Sequence, residues 1–109
     1  MLETNTLSDT IINALEDVKA KDITIIDTTH LTKLFDKVII ASGTSNTQTK
    51  ALAHRVTDYV KKQGGIIQSI EGLDTGEWVL VDCIDIVVHI MLPPIRAYYN
   101  LEEIWQPVN

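Results

Sequence analysis

Cysteine is nearly absent from this chain. Cys83 is the only one, so no intrachain bridge can form. A small domain that does without bridges fits a reducing, cytoplasmic setting. Long hydrophobic runs are missing as well. The longest candidate, residues 84–92, is interrupted by Asp85 and His89, and no run is long enough to span a bilayer, so no membrane partner is expected. The first ten residues lack a basic stretch followed by an apolar one, and no secretory signal is expected there. Positive charge is scarce in one half only. Residues 1–63 hold eight acids and eight bases, whereas residues 64–109 hold seven acids and a single base, Arg96. The entire formal charge of −6 therefore resides in the C-terminal part. An acidic half repels a phosphate backbone, which argues against direct, extensive nucleic-acid binding. It attracts a basic partner, or it simply keeps the protein soluble.

What is present is enough for one core. A length of 109 residues with 45% hydrophobic content fits a single compact domain over 1–109. Leu7, Ile11, Leu15 and Val18 recur at helical spacing behind Thr6 or Ser8 as a cap. Ile23 to Ile26 reads as a short β-branched strand, and residues 27–36 contain a polar connection. Lys37 to Ser42 is a second strand. Gly43-Thr44-Ser45 follows, and a helix opens near Asn46 with Ser45 or Asn46 as its cap. Leu52, Val56, Tyr59 and Val60 form its inward face, and Thr49 and Ala53 keep that stripe narrow. Lys61 and Lys62 complement the dipole in the last turn, and Gly64-Gly65 ends the helix. Ile66 to Ile70 reads as a third strand, then Trp78 to Cys83 and Ile86 to Leu92 as two more. Pro93-Pro94 stops the last strand before a short helix over Arg96 to Tyr99. The order α-β-β-α-β-β-β-α predicts a two-layer α/β (α+β) domain: a mixed five-stranded sheet with helices mainly on one face.

The last two strands are too close in sequence for a crossover, so they pair as an antiparallel hairpin. With Ile84-Asp85 as the loop, Cys83 meets Ile86, Val81 meets Val88 and Val79 meets Ile90; a four-residue loop gives the same partition, whereas a three-residue loop would exchange the faces. That face is wholly apolar and belongs under the helices. The other face collects Trp78, Leu80 and Asp82 with Val87, His89 and Met91. Aromatic and Met anchors among a few polar groups have the composition of a protein-binding patch. The alternative is a second core layer whose Asp and His are satisfied internally. Two helices cover only part of a five-stranded sheet, which favours the patch.

Chemistry finds less support. Asp82 and Asp85 could converge on a metal, but acids flanking a turn are commonly turn formers. Gly43-Thr44-Ser45 could cradle an anion but lacks the Lys of a P-loop. His30, His54 and His89 share no ligand spacing, and His54 falls on the polar side of its helix. Cys83 with His89 is the one conceivable nucleophile pair, and a lone strand Cys is usually inert core. No catalytic residue, metal or cofactor is assigned.

Glu77 to Asp82, Asp85 to His89, Pro93, Arg96, Tyr99, Leu101-Glu102 and Trp105 together form a long motif. Ala41 to Ser45 with Gln48 and Ala51 forms a second. Both resemble the ribosomal silencing factor family, also called RsfS, YbeB or Iojap, and the resemblance extends over nearly the whole chain from about Leu7. It implies a translational repressor that binds the large ribosomal subunit through the ribosomal protein of the L-fourteen family. Bound there, such a factor blocks joining of the small subunit when nutrients are short. The resemblance also implies a link to large-subunit assembly, homodimers, a nucleotidyltransferase-like topology and no enzymatic activity. It transfers the contact surface to Trp78, Leu80, His89 and Met91, with Pro93 and Arg96 at the rim and Asp82 orienting Arg96. Two departures stand out. Many members have Gly where this chain has Ile84, and many have aromatics at the positions of Lys37 and Val38. The competing reading is a metal-dependent, nucleotidyltransferase-like enzyme using Asp82 and Asp85. Against it, no second pair of acids follows the Gly-Thr-Ser turn.

Overall fold

The computed structural model describes residues 2–105. Helix α1 spans Thr4–Asp17, strand β1 Lys21–Asp27 and strand β2 Lys37–Ser42. Helix α2 covers Asn46–Lys62, followed by β3 at Ser69–Glu71, β4 at Trp78–Asp82 and β5 at Ile86–Met91. Two short helices, α3 at Pro93–Tyr99 and α4 at Leu101–Ile104, complete the order. The strands form one sheet in the order β1-β2-β5-β4-β3. Strands β2 and β5 run parallel, and every other pair is antiparallel. The expected mixed five-stranded sheet is therefore present.

Helices α1 and α2 pack on one face. Leu7, Ile11, Ala14 and Leu15 of α1 and Leu52, Ala53, Val56 and Val60 of α2 meet Ile39, Ala41, Val79, Val81, Val88 and Ile90 from the sheet. The predicted stripes are thus the buried ones, although Tyr59 is only half-buried, as is Val18, which falls at the C-cap just beyond α1. Ser45 caps α2, its Oγ accepting from the Gln48 N–H at 3.1 Å. Gly64, at φ 86, ends it. The start of α1 differs from expectation. The helix begins at Thr4, with Glu3 at the cap position and no side-chain cap. Thr6 and Ser8 lie inside the helix and cap nothing; Thr4 Oγ1 instead donates to Asp36 Oδ2 at 2.9 Å, tying the first turn to the β1–β2 connection.

The third strand is shorter than the run Ile66 to Ile70 suggests. Ser69 pairs with Asp82, the last residue of β4, so residues before Ser69 lie beyond the end of their partner strand. Gln68 N–H still reaches Asp82 O at 2.7 Å. Gly72, at φ 88, sits where an added Cβ would come within 2.0 Å of the Trp78 carbonyl oxygen. No side chain fits between this turn and the start of β4.

The C-terminal segment adds a second, smaller core on the opposite face. Pro93-Pro94 does more than stop β5: both prolines occupy the first turn of α3, where a missing N–H costs nothing. Asn100, left-handed at φ 48, turns the chain into α4. Leu101 is thereby pressed onto Val38, Ile40 and Met91, with Phe35, Ile95 and Trp105 around them. Helices thus lie mainly on one face, with a short strap across half of the other. Among the described residues, no helix is long and apolar enough to cross a membrane.

Candidate functional site

The alternation of β4 and β5 places the predicted residues on one face in the predicted register. Trp78 pairs with Met91, Leu80 with His89 and Asp82 with Val87. The C-terminal strap covers the Met91 end of this face and leaves the Asp82 end open. The open part is a groove lined by Leu34, Phe35, Leu80, Val87, His89 and Trp105, with Glu71 and Asp82 at its acidic margin. A second depression, bounded by Glu71, Gly72, Trp78 and Leu80, adjoins it across Leu80. The face is therefore half core layer and half open surface.

The six predicted contact residues separate accordingly. Leu80 is half-buried and belongs to both depressions. Trp78 is half-buried; its Nε1–H donates to His89 Nδ1 at 3.0 Å, and its ring lies 4.8 Å from that of Tyr99. His89 is 8% exposed and reaches the groove only as part of its floor. Burial lowers its pKa to about 4, so it is neutral near pH 7. Because Nδ1 accepts from Trp78, the imidazole proton resides on Nε2. Pro93 is exposed at the start of α3.

Two expectations need correction. Met91 has no exposed surface, because Leu101 and its neighbours close over it, so in this conformation it packs the core and meets no partner. Arg96 is not a rim residue. Its Nε donates to Glu102 Oε1 at 2.6 Å, and its side chain is only 13% exposed. Asp82 does not orient it: Asp82 Oδ1 accepts from the Ile84 N–H at 2.8 Å and closes the hairpin turn. Ile84 itself takes φ 73, the left-handed conformation that glycine would adopt without strain.

The groups considered for chemistry are occupied or apart. Cys83 faces the α1–α2 core while His89 faces the opposite side, so the two do not meet. Burial pushes the Cys83 thiol up to about 12, where it is an unreactive thiol at neutral pH. Thr44 N–H and Oγ–H both donate to Gln48 Oε1, at 2.6 and 2.8 Å, which uses donors an anion would need. His54 is exposed, as its helix position predicts. Among the described residues, no group of three or more His, Cys, Asp or Glu side chains is arranged to hold a metal ion.

Sequence reasoning gave no contact role to Leu34, Phe35, Val87 or Trp105, nor to Ser69, Glu71 or Ile84. Leu34-Phe35 is an apolar dipeptide inside a segment read as a polar connection, and that contrast was the available signal. Val87 alternates with His89 and was assigned to the face without a role. Trp105 belonged to the motif, but its position against Phe35, with ring centroids 5.3 Å apart, is a tertiary fact.

The model of a family described as "Ribosomal silencing factor during starvation" matches residues 2–109. The chain belongs to the ribosomal silencing factor family. It is 50% identical over 104 residues to the "Ribosomal silencing factor RsfS" of Chromobacterium violaceum, which covers 95% of this chain and 85% of that protein. It is 32% identical to mouse "Mitochondrial assembly of ribosomal large subunit protein 1", over 89% of this chain and 44% of that protein. A crystal structure of a Chromobacterium violaceum protein superposes with a TM-score of 0.94 at 48% identity, covering 99% of this chain and 92% of the other. A Bacillus halodurans structure superposes at 0.86 with 34% identity, covering 97% and 99%. The bacterial relative is named as a silencing factor and the mouse relative as a large-subunit assembly protein; neither name is that of an enzyme.

Proposed function

We propose that this chain represses translation by docking on the large ribosomal subunit, through the ribosomal protein of the L-fourteen family, and excluding the small subunit sterically. The observation that carries this reading is the groove: an apolar floor of Leu80 and Val87, aromatic walls at Phe35 and Trp105, and acids at the margin. A soluble domain gains nothing from leaving such a surface uncovered. The acidic margin, within a half that carries the whole net charge of −6, suits a basic protein of the kind that sits on ribosomal RNA. Family membership supplies the ribosome as the setting, and the mouse relative's name supports a part in large-subunit assembly.

The mechanism needs occupancy and no bond chemistry. A bound body at the joining surface prevents the contacts between subunits from forming. The test is a sucrose-gradient subunit-joining assay with purified subunits and increasing amounts of the protein. Joined ribosomes should fall as the protein saturates the large subunit. Undiminished joining at saturation would sink the proposal.

A further inference from the structure

We infer that Arg96 is a positioning residue for docking: its guanidinium latches the C-terminal strap so that Trp105 stands as a wall of the groove. The inference rests on the groove being the docking surface. All three guanidinium nitrogens are engaged. Nε binds Glu102 Oε1 at 2.6 Å, Nη1 binds the Asp22 carbonyl at 2.6 Å and Ser42 Oγ at 2.9 Å, and Nη2 binds Thr24 Oγ1 at 3.0 Å. One side chain on α3 thus joins α4, the start of β1 and the end of β2. Two local departures from regular backbone serve this junction. The β1–β2 ladder shifts register between Lys21 and Thr24, with Asp22 at φ 51, and the Asp22 carbonyl goes to Arg96. Asn100, also left-handed, swings α4 back so that Glu102 faces the same guanidinium.

The strap needs such a latch. Helix α4 has four residues, far too few to persist on its own helical hydrogen bonds. It is held by Leu101 in the small core and by Glu102 on Arg96. Trp105 directly follows α4, its N–H reaching Leu101 O at 3.3 Å and its ring meeting Phe35 edge-on. Releasing Glu102 therefore frees the Trp105 wall. The α1–α2 core lies on the other face of the sheet and is left intact. Lysine cannot replace this arginine, because one ammonium group cannot span a fork of acceptors on three elements.

The test uses Arg96→Lys, Glu102→Gln, Trp105→Ala and the double variant Arg96→Lys/Trp105→Ala, with purified large ribosomal subunits as the probe. Amide exchange at residues 101–105 should speed up in both latch variants while α1, α2 and the central strands stay protected. Each single variant should lose about ten-fold or more in co-sedimentation affinity. The double variant should be no weaker than the weaker of its two singles, because the latch acts through Trp105. Unchanged exchange in the latch variants overturns the inference. So does wild-type affinity in a variant whose strap has come loose, or losses that multiply in the double. Failure of the wild-type protein itself to bind would instead remove the docking reading, and the inference with it.

Discussion

Trp78 Nε1 donates to His89 Nδ1 across the β4–β5 hairpin, 3.0 Å away, so the most prominent aromatic of the face is oriented by a buried, neutral imidazole. Protonating His89 removes the acceptor that holds Trp78. With its pKa lowered from 6.5 to about 4 by burial, the unfolded chain binds the proton more readily than the folded one between those values. The stabilisation is complete above about pH 6.5 and is lost as pH falls towards 4, by an amount on the order of 2–3 kcal/mol. Urea unfolding at several pH values should show this loss in the wild-type protein and a flatter profile in His89→Asn. Carboxylates such as Asp17 and Asp27, whose pKa values are lowered from 3.8, act below that window. Equal profiles for the two proteins between pH 4 and 6.5 would count against the buried neutral imidazole.

Ile84→Gly should stabilise the fold by about 1 kcal/mol, since a β-branched residue at φ 73 is strained where glycine is not. The opposing effect is the lost contact in the shallow apolar pocket that Ile84 shares with Leu2, Leu7 and Ile66. A denaturant midpoint that moves down rather than up would mean that this contact outweighs the strain.

Leu80→Asp should abolish co-sedimentation with large subunits while leaving a cooperative unfolding transition, because Leu80 is half-buried in the open part of the face. Leu80→Ala is the gentler companion and should weaken binding by about ten-fold or more. Normal binding by both variants would place the contact elsewhere.

Glu71 lies on the margin of both depressions. Glu71→Gln should slow association and reduce its dependence on ionic strength, while dissociation changes little. Stopped-flow association rates at low and high salt provide the check. A salt dependence identical to that of the wild type would remove the electrostatic part of the docking model.

The register of the hairpin was legible because side chains on a strand alternate with a period of two. Val79 therefore had to share a face with Val81, and Val88 with Ile90; the two-residue Ile84-Asp85 loop puts both pairs on the same face. The third strand was legible in existence but not in length, because pairing ends where the partner strand ends, at Asp82. The cap of α1 was misread because Thr6 and Ser8 have capping side chains, while the helix extends back to Thr4 beside Asp36.

By itself the sequence determined the sheet, the two long helices, the division of the hairpin into two faces, the acidity of the C-terminal half and, through its motifs, the family. All but the last follow from local periodicity or from counting; the family rests on the resemblance of the motifs to those of known members. Only the tertiary structure decided which end of the second face stays open. That outcome depends on where a short C-terminal strap lands, and the strap is held by contacts between residues distant in sequence: Leu101 on Val38 and Ile40, and Arg96 on Asp22, Thr24 and Ser42. Local pattern carries no record of such contacts. Met91 and Arg96 thus read as surface in the sequence and belong to the interior and to the latch in the fold, while Leu34, Phe35 and Trp105 emerge as the walls of the groove.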